Sequence, residues 1–400
     1  MLILLAALLP VVACAGARTQ SNNIVTSGPN VQPVTVNAGP AGDYVNGIFT
    51  SVTVCVPGTS DCQTIGGILV DTGSSGLRLI SSASGGALTV PLPQQTDANG
   101  NPITECTKFA DNSFLWGSVR AADIKLAGEQ ASSVPVHVAG DPSFPNVPGS
   151  CSAGGINENS LQGLGANGIL GVSTFQQDCG GGCAPGSSPT PPPATYYVCP
   201  PSGCQPTFEG LAQQVQNPVA LFPVDNNGVI IELPSVGAMG APSVSGSLVF
   251  GIGTENDNGT GDAAIFTLDP STGDFATIYN GQTYDSSFID SGSNAIYFLD
   301  SKTTGIATCS KPNNTFYCPP SQVTLPTTNQ GLNGTTDTVD FPVANANTLL
   351  SSPTAFVFSN LAGPSPGNFD WGLPFFFGRN VFTAIEGKNT PAGPGPYWAY

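Results

Sequence analysis

Residues 66–81 read GGILVDTGSSGLRLIS, and residues 286–300 read SSFIDSGSNAIYFLD. In each stretch a short apolar run delivers an aspartate, Asp71 or Asp290, into a tight turn of small and hydroxylated residues, and a second apolar run leads away. Thr72, Gly73 and Ser74 follow the first aspartate; Ser291, Gly292 and Ser293 follow the second. A turn of this kind used twice points to two carboxylates that meet. Like charges a few ångströms apart cannot both be ionised, so such a pair holds one shared proton and serves as acid and base together. That is the chemistry of amide hydrolysis by an activated water, and it calls for no metal or cofactor.

The rest of the composition sets the frame. Four hundred residues with 50 Gly, 37 Pro and 40% hydrophobic residues give room for two domains built from strands and turns, an all-β chain. Against 26 acids stand only 9 bases, a net charge of −17, which argues against nucleic acid and anionic lipid surfaces as partners. The single histidine, His137, lies in the alternating run VPVHVAG and reads as structural. With no GxSxG elbow, a Ser-His-Asp hydrolase is disfavoured. The GILG turn at 168–171 is not followed by GK[ST], so it is no phosphate loop.

At the N-terminus, MLILLAALLPVVACAG is apolar but too short to span a bilayer, and it reads as a secretory leader. Val11, Val12, Ala13 and Cys14 resemble a bacterial lipobox, which implies that residues 1–13 are removed and Cys14 is acylated. The protein would then be a lipoprotein of the bacterial cell envelope, in the outer membrane or periplasm, touching a membrane only through its lipid; ordinary cleavage would instead leave it secreted. Ten further cysteines form an even set suited to an oxidising compartment. Spacing makes Cys55 with Cys62 and Cys309 with Cys318 local staples, and Cys106 with Cys151 a longer tie. Cys179, Cys183, Cys199 and Cys204 are spaced like a four-thiolate zinc site, but in an exported chain disulfides of open connectivity are favoured.

In order along the chain, residues 14–43 read as a tether or at most an initial edge strand. Residues 46–56 and 64–71 make a hairpin ending at Asp71, and 114–126 is a hairpin arm with its tip near Asp111 and Asn112. On that arm Phe114 and Trp116 are candidates to line a flap or cleft, with the core as the alternative for Trp116. Residues 176–206 look like a stapled surface insertion, and 208–222 like a helix ended by Pro218 at the junction of an N-terminal lobe (44–215) and a C-terminal lobe (216–400). The second half repeats the first: GILG at 168–171 is answered by FFFG at 375–378, and the two aspartates lie 219 positions apart.

Taken together, VDTGSSGLRLISS, ANGILGVSTF, GSLVFGIGTEN, IDSGSN and FFFGRNVF resemble the pepsin-like aspartic proteases in sequence and in order, over roughly residues 44–386. The resemblance implies a bilobal pepsin-like double barrel with few short helices. It also implies that Asp71 and Asp290 hold the attacking water and that Thr72 and Ser291 brace the turns. Ser74 and Ser293 would bond the outer carboxylate oxygens, and Gly73 and Gly292 would permit close backbone approach. The family's flap tyrosine falls on Asp111, with Phe109, Phe114 and Trp116 nearby, and Arg78 stands where a tryptophan is common. The stretches QVQNPVALFPVDNNGVIIELP and FDWGLPFFFGR are similar to a bacterial exported family known only as a domain of unknown function. The function so implied is a monomeric exported endopeptidase acting on peptides or proteins. The competing readings are an inactive pepsin-fold surface lipoprotein that binds peptide, glycan or a partner protein in its cleft, and a chain whose aspartate turns only hold the lobes together.

Overall fold

The computed structural model describes residues 23–187 and 191–400; Cys14 and the leader lie outside the described residues. The described chain is strand and turn, and its α-helical elements are single turns of four residues, as at Leu161–Leu164 and Ser301–Thr304, each closed by a glycine in the left-handed region. None of the described helices is long and apolar enough to cross a membrane.

In the first half, strands Gly47–Cys55 and Cys62–Asp71 pair antiparallel with Cys55 opposite Cys62, where a disulfide joins them. Their alternating Val52, Val54, Ile65, Ile68 and Val70 are buried in the main core. Beyond Leu69 the strand is covered on both faces, and it runs parallel to Gly168–Val172 with Asp71 opposite Gly171. After the turn, Ser75–Ile80 comes back antiparallel on the other side of that same strand. Asp71 is thereby fixed at the end of a central, two-sided strand, where backbone hydrogen bonds leave the turn little freedom.

The second half is wired alike. The hairpin Phe275–Tyr279 and Gln282–Ile289 leads to Asp290. Gln282–Ile289 runs parallel to Ser365–Trp371, and Ile296–Leu299 returns antiparallel beside it. The counterpart of Ile169-Leu170-Gly171 is therefore Asp370-Trp371-Gly372. This corrects the expectation that FFFG at 375–378 plays that part, since Leu373–Phe376 is a single 3-10 turn. An aspartate at the first apolar place hid the true segment. Around it Phe298, Phe341, Phe369, Trp371 and Phe375 stack and abut at centroid distances of 5.0–5.6 Å.

Three further expectations are corrected. Within the supposed tether, Val31–Asn37 is an interior strand, paired with Gly47–Cys55 on one side and Val244–Phe250 on the other. Its alternation of Val31, Val34 and Val36, all buried, was short enough to pass for a linker. The sheet continues from there through Gly228–Glu232, Asn380–Ala384 and Tyr397–Ala399, tying the two halves together.

The helix expected over 208–222 is absent; only Pro218–Leu221 is helical, as 3-10. The preceding backbone finds its partners elsewhere: the Val215 N–H donates to the Tyr196 hydroxyl at 2.7 Å, and the Asn217 N–H to the Gln176 carbonyl at 2.9 Å. Nor is 176–206 a surface insertion. Tyr196–Val198 joins the sheet beside Ile103–Lys108, and Tyr196 and Tyr197 are fully buried. The four clustered cysteines pair as Cys179–Cys183 and Cys199–Cys204; the other disulfides are Cys106–Cys151 and Cys309–Cys318.

Candidate active site

The two aspartate turns are bonded to each other nearly symmetrically. The Thr72 N–H donates to Ser291 Oγ at 3.1 Å and the Ser291 N–H to Thr72 Oγ1 at 2.9 Å. Each hydroxyl then donates across the boundary between the halves, Thr72 to the Ile289 carbonyl at 3.2 Å and Ser291 to the Val70 carbonyl at 2.8 Å. All four bonds are buried, so each turn depends on the other to satisfy its polar groups.

Within each turn the carboxylate is held the same way. The Gly73 N–H donates to Asp71 Oδ1 at 2.8 Å and the Gly292 N–H to Asp290 Oδ1 at 2.7 Å. Ser74 bonds Asp71 Oδ2, and Ser293 Oγ lies 2.9 Å from Asp290 Oδ2. The glycines are needed for space. A Cβ on Gly73 would sit 2.7 Å from the Asp290 carboxyl carbon, and one on Gly292 would sit 2.7 Å from Asp71 Oδ1. Each glycine thus lets the opposite carboxyl in.

Asp71 is 7% exposed, and the Asp290 carboxyl lies against the first aspartate turn, where a side chain on Gly73 would otherwise sit. Burial, then the charges of Asp71 and Asp370, push the Asp290 carboxyl well above the usual carboxylate range. A raised Asp290 beside a second buried carboxyl is the arrangement in which a proton can be shared, so that one oxygen can take a proton while another gives one.

Comparison with known proteins bears on both fold and family. A family model with the description "Protein of unknown function (DUF3443)" matches residues 26–400. The chain belongs to that family. No curated protein matches the sequence. Among solved structures, the chain is similar to the aspartic proteinase from Irpex lacteus, with a TM-score of 0.52 and 16% identity over 92% of this chain and 96% of that one. At that identity the likeness shows the fold, which is bilobal and pepsin-like.

Around the pair, the hairpin of Ile103–Lys108 and Ser113–Leu126 has its tip at residues 109–112, as the sequence implied, and Asp111 there accepts from the Ser113 N–H at 2.9 Å. Phe114 and Trp116 do not line the cleft. Both are buried with Cys106, Cys151 and Tyr197, and the Trp116 indole N–H donates to the Phe144 carbonyl at 2.9 Å. Their strand positions face the core, so the cleft-aromatic expectation is withdrawn.

Arg78 is buried behind the first aspartate turn. Its guanidinium donates to the Ser75 carbonyl at 2.8 Å, Thr107 Oγ1 at 2.8 Å and Glu105 Oε1 at 3.1 Å, and lies 3.4 Å from Asp178 Oδ2. It joins the aspartate turn to the base of the flap hairpin and to the cysteine-rich segment, where Tyr196 donates to Asp178 at 2.6 Å. His137 is fully buried 3.5 Å from Glu105, and burial lowers it to about 4, a structural neutral imidazole.

Sequence reasoning missed four residues around the two turns. Tyr44, just before the strand Gly47–Cys55, packs edge-on against Phe49 at 5.5 Å, and burial, then the charges of Glu158, Asp71, Asp290 and Asp111, push its phenol up. Next to it Asn46 latches onto the second half, donating to the Asn294 carbonyl at 2.8 Å and accepting from the Phe358 N–H at 2.7 Å. Tyr297 donates to Asn294 Oδ1 at 2.7 Å and feels Asp370, Tyr44 and Asp111. The fourth is Asp370, whose carboxyl lies 2.6 Å from Ser293 Oγ. No local motif marks any of them, because each is brought to the site by tertiary pairing.

Proposed function

We propose that this chain is an aspartic endopeptidase that hydrolyses peptide bonds through a water held by Asp71 and Asp290. The observation that supports the reading is the cross-bonded pair of turns, in which each glycine leaves room for the opposite carboxyl at the junction of the halves. The ionised carboxyl takes a proton from the water as it attacks the scissile carbonyl, and the protonated one donates to the carbonyl oxygen. As the tetrahedral intermediate collapses, the proton gained from water passes to the leaving amine, a hydroxyl of the gem-diol returns its proton to the other carboxyl as the carbonyl re-forms, and the pair is left again with one proton. Ser74 and Ser293, fixed on the outer oxygens, keep both carboxyls oriented through the exchange.

Five disulfides support an exported site of action, and a leader ending at an acylated Cys14 in a bacterial envelope is the form of export proposed. Peptide or protein is the proposed substrate and the monomer the proposed working state. The test is digestion of a broad peptide library from acid to neutral pH. Discrete internal cleavages with a bell-shaped profile centred in the acid range are expected. A library left intact at every pH while peptide still binds would overturn the enzyme reading in favour of a binding protein.

A further inference from the structure

The surroundings of the two carboxyls differ at one equivalent place. In the first half Ile169 stands opposite Leu69, two residues before Asp71; in the second, Asp370 stands opposite Phe288, two residues before Asp290. Asp370 is 8% exposed, and its Oδ1 is buried with no hydrogen-bond partner. Its Oδ2 lies 2.6 Å from Ser293 Oγ, the same hydroxyl that lies 2.9 Å from Asp290 Oδ2. A serine hydroxyl has one proton, so it can donate to only one of these oxygens and must accept from the other. One of the two carboxyls therefore carries a proton on the oxygen that faces Ser293. Asp290 Oδ1 accepts the Gly292 N–H, which favours its charge, whereas Asp370 Oδ1 has no donor to favour an anion.

We propose that Asp370 is a third carboxyl of this site, kept un-ionised, that donates its proton to Ser293 and so commits the Ser293 hydroxyl to the outer oxygen of Asp290. It is a positioning residue acting through Ser293. The groups around it agree. Asp290 faces it from the second aspartate turn and Asp71 from the first, Tyr297 is in register on the neighbouring strand with its hydroxyl engaged by Asn294, and Phe288 on the parallel strand carries no charge. Burial, with the charge of Asp71 added to it, pushes Asp370 up to about 8. The site thus holds two protons over three carboxyls.

The catalytic half of this inference rests on the peptidase reading, and the test separates the two. Asp370→Asn keeps an N–H donor for Ser293; Asp370→Leu removes it. Infrared difference spectra of wild type against Asp370→Asn at neutral pH should show the loss of one un-ionised carboxyl band, whether or not the protein cleaves anything. In cleavage assays Asp370→Asn should keep kcat within about threefold and both pH limbs within a few tenths of a unit. Asp370→Leu should lower kcat about tenfold with KM little changed. Carboxylate bands alone in the spectrum, or a loss in Asp370→Asn as large as in Asp370→Leu, would overturn the proposal. If Asp370→Leu fails to fold, the spectrum and the Asp370→Asn profile decide it. If wild type cleaves nothing, the peptidase reading falls and the spectrum still decides the state of Asp370.

Discussion

Asp71→Asn and Asp290→Asn are each expected to lower peptide cleavage by roughly 10⁴-fold or more, with the fold intact. The two carboxyls act as a unit around one proton, so removing either ionisable group removes the function of both, and the double variant should lose little beyond either single one. An amide is nearly isosteric with a carboxyl, and its oxygen can still accept the Gly73 or Gly292 N–H at the observed 2.7–2.8 Å. It also relieves the repulsion that pushes Asp290 up. Circular dichroism and melting temperature should therefore match or exceed wild type while turnover disappears. Residual activity within tenfold of wild type in either variant would be incompatible with a shared-proton mechanism.

The second large effect concerns stability and pH. Burial raises Asp370 from an ordinary 3.8 to about 8, raises Asp290 and Asp178 well above that ordinary value, and raises Glu158, Glu209 and Glu232 to about 7. For each, the unfolded chain ionises first as pH rises, so the folded state binds the excess proton in between. Stability is then greatest below about 4 and is lost progressively up to the folded-state value. For Asp370 alone, about four pKa units correspond to something on the order of 5 kcal/mol. His137 has the opposite sign: held at about 4 against an ordinary 6.5, it costs stability as pH falls through that window. Glu105, held against its burial at about 2 by His137 and Arg78, does the same below about 4.5, so the maximum lies near the lower end of the window. Thermal melts should show the highest Tm near pH 4–5, falling steadily toward pH 8. Asp370→Asn should flatten the fall and raise Tm at neutral pH. A Tm that climbs from pH 5 to 8 would contradict the buried, protonated state of these carboxyls.

Much of this molecule could be read from short stretches. The D-T-G-S and D-S-G-S turns announce themselves because every residue in them is demanded locally: a hydroxyl to cross-bond, a glycine to admit the opposite carboxyl, a serine for the outer oxygen. The local disulfides were legible for a similar reason, since Cys55 and Cys62 face each other across one hairpin. What escaped was set by long-range pairing. Asp370 breaks the apolar-apolar-glycine pattern, and an intact copy of it stands six residues on, at FFFG. The apolar spacing of 208–222 imitates a helix, but Val215 and Asn217 take their hydrogen bonds from the cysteine-rich segment. Phe114 and Trp116 suit a flap or cleft wall as well as a core on sequence alone, and it is the core reading given for Trp116 that holds: their strand buries both against Tyr197 and the Cys106–Cys151 bridge. Tyr44 carries no motif, and the charges of both aspartates reach it because the neighbouring Asn46 latches onto the second half.

The most direct test of a shared-proton pair is the binding of a peptide analogue with a hydroxyl-bearing tetrahedral centre in place of the scissile carbonyl, measured by calorimetry across pH. Only the one-proton pair complements that centre, which both donates to and accepts from the two carboxyls. The account predicts tight binding by wild type that peaks in the acid range and falls by at least about a hundredfold in both Asp71→Asn and Asp290→Asn. Equal affinity in wild type and either variant, at every pH, would contradict it.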